Sequence, residues 1–342
     1  KNKISKLGAE QSVFIPKGTV IITIQGSIGR VAITQYDAYI DRTLLLFEEF
    51  YIELDKTFFA YLLFLLFEIE KLKAPGGIIK TITKEVLSQF VVKLPSPKEQ
   101  QKIAACLSTL DEVITAETKK LEILKDHKKG LLQNLLPQEG ETVPKFRFKE
   151  FEDTGDCQET TLTQVADYEN GKAHEQDIAD DGKFIVVNSK FISQDGEVKK
   201  FTNTAFLPAT KGDVLMVLSD IPNGRAIAKC FLVEEDNRYT VNQRICRITP
   251  RNINSKILYY LLNRNPYFLA FDDGVKQTNL RKEDVLNCPL MIPEDPKEQE
   301  KIADTLSSVD DLINAQNQKL EALQLQKKGL LQGLFPSINN EE

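Results

Sequence analysis

The chain has 342 residues, more than one hydrophobic core usually organises, so two or more domains are expected. Hydrophobic residues make up 42% and charged residues 27%, an ordinary globular balance, and the net charge of −6 excludes a protein that coats nucleic acid by bulk charge. Five scattered cysteines, never in a C-x-x-C pair, read as free thiols in a reducing cytoplasm.

In chain order, the first region is 1–97. Lys17-Gly18 reads as a tight turn, Val20–Ile24 as a strand, and Gly29-Arg30 as the end of a loop before the next strand. A helical pattern follows over Thr57–Glu70. Its apolar run Phe58–Phe67 is cut by Glu68 and is too short to span a membrane, so it predicts a buried helix. A glycine-containing loop at Gly76–Ile82 and a last strand lead to Pro95.

The next region, 98–137, predicts one long helix. Apolar residues recur at Ile103, Leu107, Leu110, Ile114, Leu121, Leu124, Leu131 and Leu135. The alternation of fours and threes closes when Glu117 and Lys128 count as polar seam positions, which is the heptad of a coiled coil. Pro97 favours the start and Pro137 the stop. Gly130 lies inside the pattern at a cost of about 1 kcal/mol against Ala, for which a close backbone approach is one reason.

The region 138–293 holds a linker and a second domain. Leu207–Ile227 repeats the skeleton of Ile15–Ile33: a Pro, a Lys-Gly pair (Lys211-Gly212), a strand (Val214–Leu218) and a Gly-Arg pair (Gly224-Arg225). A short helix is expected at Ser255–Leu262, a loop at Gly274–Leu280 and a last strand before Pro293. About 50 residues, roughly 142–194, precede the part that matches residue 1. The first domain is therefore expected to be truncated at its N-terminus.

The last region, 294–342, carries ten acidic and five basic residues and repeats the long helix at a constant offset of 199 residues. Its seam is Ile302, Leu306, Val309, Ile313, Leu320, Leu323, Leu330 and Leu334, with Gln316 and Lys327 in the polar slots, Gly329 inside the pattern and Pro336 after it. The order is thus domain, helix, domain, helix. Chain direction requires the two seams, if they pair, to run antiparallel. A seam of about 33 residues spans roughly 50 Å at ~1.5 Å per residue, or about 15 steps of DNA at ~3.4 Å. The fold class expected is α+β: two duplicated α/β domains separated by two long helices in an antiparallel coiled coil, pseudo-two-fold symmetric.

The two P-K-E-Q-x-K-I-A…K-K-G-L-L-Q helices, the L-P-K-G-D-V-like strand entries and the P-K-F-R-F-K-E-F linker at Pro144–Phe151 resemble the specificity subunit of type I restriction-modification systems, over essentially the whole chain. The resemblance implies two target-recognition domains (1–97 and 138–293) and two spacer helices (98–137 and 294–342). In that family each domain reads half of a split double-stranded DNA sequence. The helices set the gap and dock two methyltransferase subunits, and motor-nuclease subunits join for cleavage. S-adenosylmethionine, ATP and Mg are then expected on the partners, with no cofactor, metal or catalytic residue in this chain.

The residues themselves show little chemistry. Asn265-Pro266-Tyr267-Phe268 lacks the second Pro of a methyltransferase N-P-P-Y loop and reads as a helix stop. Gly26-Ser27-Ile28-Gly29 has no helix after it and suits no cofactor. The only histidines, His127 and His174, are far apart, and His127 reads as a solvated helix residue. DNA contacts are expected from loop residues able to read base edges: Gln25, Ser27, Arg30, Lys80 and Thr81 in the first domain, and Asn223, Arg225, Lys276, Gln277, Asn279 and Arg281 in the second. Each has a plainer alternative: an intradomain ion pair for Arg30 and Arg225, a helix cap for Gln277 and Asn279. At the level of the whole chain the alternatives are the recognition part of a standalone or fused adenine methyltransferase, and an interaction protein with no DNA role.

Overall fold

The computed structural model describes residues 4–24, 28–73, 87–88, 90–138 and 140–335. It is an α+β chain that divides into two compact units, Lys1–Leu121 with Ala315–Glu342, and Glu122–Asn314. The division cuts each long helix near its middle, whereas the sequence reading kept each helix whole.

In the first unit, α1 (Lys6–Glu10) is capped by Ser5, whose hydroxyl accepts the Gly8 amide. Strands β1 (Val13–Ile15) and β4 (Ala38–Ile40) pair antiparallel, and β2 (Val20–Thr23) lies between β3 (Val31–Ile33) and β5 (Leu44–Phe47). Alternation along β2 turns Val20 and Ile22 into the core. They meet α2 (Lys56–Lys73), whose apolar run buries Phe58, Leu62, Leu63, Leu66 and Phe67. The Asp55 carboxylate caps α2 by accepting the Thr57 and Phe58 amides, at 2.9 Å each. The unit takes in part of α3 (Pro97–Leu135), a helix of 39 residues.

The second unit begins with the rest of α3. Then come β6 (Gln158–Thr161), α4 (Leu162–Val165), β7 (Ala166–Asn170), β8 (Ile178–Ala179), β9 (Phe184–Val187), α5 (Ser189–Ser193), β10 (Phe201–Thr202) and β11 (Pro208–Ala209). After them run β12 (Val214–Val217), β13 (Ser219–Asp220), β14 (Cys230–Leu232), β15 (Tyr239–Val241), β16 (Ile245–Pro250), α6 (Ser255–Leu262), α7 (Pro266–Leu269), β17 (Thr278–Asn279), α8 (Lys282–Leu286), β18 (Pro289–Ile292) and α9 (Pro296–Leu334).

Two sheets dominate this unit, ordered β11-β15-β9-β10-β8 and β14-β12-β16-β7, with β15 and β9 the parallel pair. Strand β12 is buried along its whole length because it serves two cores. Val214 and Met216 face one and Leu215 and Val217 the other. Asn254 caps α6 as Asp55 caps α2. Asn265-Pro266 does not merely stop a helix: Asn265 accepts the Tyr267 amide and Pro266 is the first residue of α7, because a proline at that place gives up an amide no helix bond needs.

Helices α3 and α9 pair antiparallel in each unit. In the first, Ile103 and Leu107 join Leu331 and Phe335 in the core under α2. In the second, Leu135 and Leu136 join Ile302, Ala303 and Leu306 under α6. These are the same contacts built twice: Phe58, Ile103, Leu107 and Phe335 correspond at a 199-residue offset to Ile257, Ile302, Leu306 and Leu136. Every seam position, polar ones included, is buried or half-buried, and His127 is exposed. The reason expected for Gly130 and Gly329 is corrected. A Cβ on either would meet nothing within 4 Å, so no close backbone approach calls for glycine there. Pro336 lies outside the described residues.

Candidate nucleic-acid interface

In the second unit the short ladder of β13 with β17 joins two loops, with Ser219 opposite Asn279 and Asp220 opposite Thr278. The Leu218 amide donates to the Arg244 carbonyl, and the Leu218 carbonyl accepts the Leu280 amide, both at 2.8 Å. The loops after β13 and before β17, and the 242–244 turn, therefore lie side by side. Asn223 Nδ2 donates to the Gly274 carbonyl at 3.0 Å, and Gln277 Nε2 donates to Ser219 Oγ at 2.7 Å.

Carboxylates in these loops are spent on backbone amides. Asp220 accepts from Ile221, Ala226 and Ile227, and a Cβ on Gly224 would sit 2.1 Å from its Oδ2, so only glycine fits that turn. Asp272 accepts from Gly274 and Asp273 from Val275 and Lys276, and the last two bonds hold the Asp273 carboxyl below its ordinary range. The cations stay exposed. Arg225, Lys276 and Arg281 are exposed, and among the described residues none of their side chains has a carboxylate partner. The exposed side chains of Gln277 and Asn279 lie beside them.

The structure thus brings the six second-domain candidates to two adjoining loops and the α8 entrance. Arg225 makes no ion pair among the described residues, and the cap position of α8 is Arg281, with Gln277 and Asn279 bonded elsewhere. In the first unit Arg30 is exposed at the end of the β2–β3 turn, its amide bonded to Thr23 Oγ1 at 3.0 Å. Gln25, Ser27, Lys80 and Thr81 lie outside the described residues.

Sequence reasoning missed Arg244, exposed in a non-glycine turn at φ 67°, and the apolar tips Ile221 and Val275. Only the polar run Asn242-Gln243-Arg244 between two strands signalled the turn. Sequence reasoning also found the repeated P-K-E-Q motif without its role. Gln100 accepts the Asp55 amide and donates to the Pro95 carbonyl. Gln299 does the same with Asn254 and Pro293, tying each domain to the start of its helix. Arg147 of the linker forks onto Glu298 with bonds of 2.7 and 2.9 Å, both side chains buried.

Burial pushes the Cys157 thiol up to about 11 and those of Cys246 and Cys288 to about 12, and Cys230 is raised as well. Such thiols are inert at neutral pH. Among the described residues no cluster of three or more His, Cys, Asp or Glu could hold a metal ion, and no helix is long and apolar enough to cross a membrane.

The profile of the type I restriction modification DNA specificity domain matches residues 1–126 and 155–325. The chain belongs to this family. As a specificity domain it is similar to the specificity subunit of the type I restriction enzyme MjaVIII from Methanocaldococcus jannaschii, at 26% identity over 81% of this chain and 69% of that one. Among solved structures, the S subunit of a type I restriction-modification system from M. genitalium matches with a TM-score of 0.61 at 18% identity, covering 95% of this chain and 84% of that one. A chain from a study of assembly and conformational transition of the type I system matches with a TM-score of 0.58 at 16% identity, covering 96% and 84%. At these identities the two structures speak for the fold of the specificity domain alone.

Proposed function

We propose that each globular domain of this specificity subunit reads one half of a split DNA target from the major groove, and that the α3/α9 coiled coil sets the gap between the halves. The family makes the chain a DNA-recognition and scaffold subunit that acts with other restriction-modification subunits, and its members are not catalysts. The observation that carries the finer reading is the pair of loops at β13 and β17. There the aspartates are used up on backbone amides, and Arg225, Lys276, Gln277, Asn279 and Arg281 are left facing solvent.

Those residue types fit base edges. Arginine donates two parallel bonds to guanine, Gln and Asn pair with adenine, and an exposed Ile221 or Val275 suits a thymine methyl. Arg244 and Lys276 supply charge for phosphate. Two methyltransferase subunits dock on the helices, carrying S-adenosylmethionine, and motor-nuclease subunits bring ATP and Mg. The assembly works in the cytoplasm, where the free thiols are kept reduced. The adenine-methyltransferase alternative is not favoured by the family.

Selection of bound duplexes from a randomised library, with the chain and its methyltransferase partners, tests this reading. A motif of two short blocks at a fixed gap is expected. A single contiguous motif, or none, overturns it. The purified chain alone should transfer no label from S-adenosylmethionine to DNA.

A further inference from the structure

We infer that two copies of one side-chain triad, Tyr61–Asp111–Lys327 and Tyr260–Asp310–Lys128, are positioning keys that hold each recognition domain at one height and one rotation on the helices, and so confine the DNA spacer to one length. The inference rests on the split-target reading above.

Each triad takes one residue from each of three elements of its own unit. In the first, the Tyr61 hydroxyl on α2 donates to Asp111 Oδ2 on α3 at 2.7 Å, and Lys327 Nζ on α9 pairs with Asp111 Oδ1 at 2.5 Å. The ammonium also lies 5.6 Å from the centre of the Tyr61 ring. In the second unit the long helices exchange roles. Tyr260 on α6 donates to Asp310 Oδ2 on α9 at 2.8 Å, Lys128 Nζ on α3 pairs with Asp310 Oδ1 at 2.6 Å, and the ammonium lies 5.2 Å from the Tyr260 ring. Tyr61, Asp111 and Lys128 correspond to Tyr260, Asp310 and Lys327 at the 199-residue offset, so three residue positions and three contacts each occur twice.

The lysines stand at seam positions, where an apolar side chain would pack more stably. A polar seam residue usually fixes the register of two helices. Here each one also reaches the third element, the domain's own helix, through a tyrosine and a shared carboxylate. The hydrophobic driving force that buries the stacked Phe58 and Phe335 rings is itself non-directional. Hydrogen bonds are directional and weaken steeply once bent or stretched.

The tolerance required is small. A base-pair step is ~3.4 Å of rise and, at 10–10.5 pairs per turn, roughly 35° of twist. Slipping a domain by one residue of helix is ~1.5 Å and ~100°. Such a slip faces the domain toward different base pairs, so a single spacer length needs directional contacts at the domain–helix junction, and the triads supply them midway along the helices, beyond the Gln100 and Gln299 bonds at the helix starts.

The test uses the assembled complex, a randomised duplex library and the paired variants K128M/K327M and Y61F/Y260F, with K128R/K327R as the conservative control. Methionine keeps the apolar stem and phenylalanine loses only the hydroxyl, so the fold has two routes to survive. The wild type and the arginine variant should select one spacer. The methionine and phenylalanine variants should select the same half-site bases at additional spacers, with affinity for the best site lower by about three- to tenfold. A merely structural role would move the unfolding temperature and leave spacer choice alone. If either folded variant keeps a single spacer, the keys are wrong. If the wild type selects no split motif, the recognition reading itself fails and takes the keys with it.

Discussion

Glu117 and Gln316 are the same position in the two copies of the long helix, and they touch. Gln316 Nε2 donates to Glu117 Oε2 at 2.7 Å and to the Glu117 carbonyl at 3.0 Å, and Lys319 pairs with Glu117 Oε1 at 2.5 Å. When two copies of one helix lie antiparallel, a residue can meet its own copy only at the middle of the pairing. That contact therefore fixes the register of α3 against α9.

The Glu117 contact predicts an acid-sensitive register. The bonds from Lys319 and then Gln316 lower the Glu117 carboxyl below its ordinary value of 4.5. A depressed carboxylate stabilises the fold above its unfolded pKa, and the contribution is lost as pH falls through the folded value. Thermal unfolding should therefore show the gap between wild type and E117Q shrinking from about pH 4.5 downward. A gap that widens on acidification would contradict the assignment.

Copy-related core positions should behave alike. Leu107 and Leu306 are fully buried at equivalent places under α2 and α6. L107A and L306A should each cost about 2–5 kcal/mol in denaturant titration. One variant at surface-like cost would show that the two junctions are not equivalent.

The helical glycines should be improvable. Because nothing lies within 4 Å of a Cβ on Gly130 or Gly329, G130A and G329A should each stabilise the chain by about 1 kcal/mol, read as a raised unfolding temperature.

The interface residues should separate by role. R225A should relax base preference at one position of one half-site, a loss of about 1–3 kcal/mol for the preferred base. K276A should weaken all sites alike and flatten the salt dependence. The reverse pattern would exchange their assignments.

The duplication was legible because a constant offset of 199 residues survives in plain sequence, and the seam because heptads write their period into every turn. Antiparallel direction followed from chain order alone. What the sequence withheld is what depends on third elements. Lys128 and Lys327 read only as polar seam residues until Tyr260 and Tyr61 are seen beside them. The ladder of β13 with β17 is two residues long on each side and carries no period, so nothing announced that the 219–225 and 273–281 loops meet. Asn265-Pro266 was ambiguous because proline both ends one helix and opens the next, and Gly130 because sequence records a missing side chain but not the space around it. The parallel pairing of β15 with β9 joins segments about 55 residues apart, beyond the reach of local pattern.

The most direct test of recognition at a gap set by helices is to insert one heptad at matched seam positions of both α3 and α9 and to sequence the DNA that the assembled complex selects. Seven residues add about 10 Å of helix at ~1.5 Å each, so the spacer should grow by about three base pairs while both half-sites keep their bases. An unchanged spacer in a folded insertion variant would contradict the account.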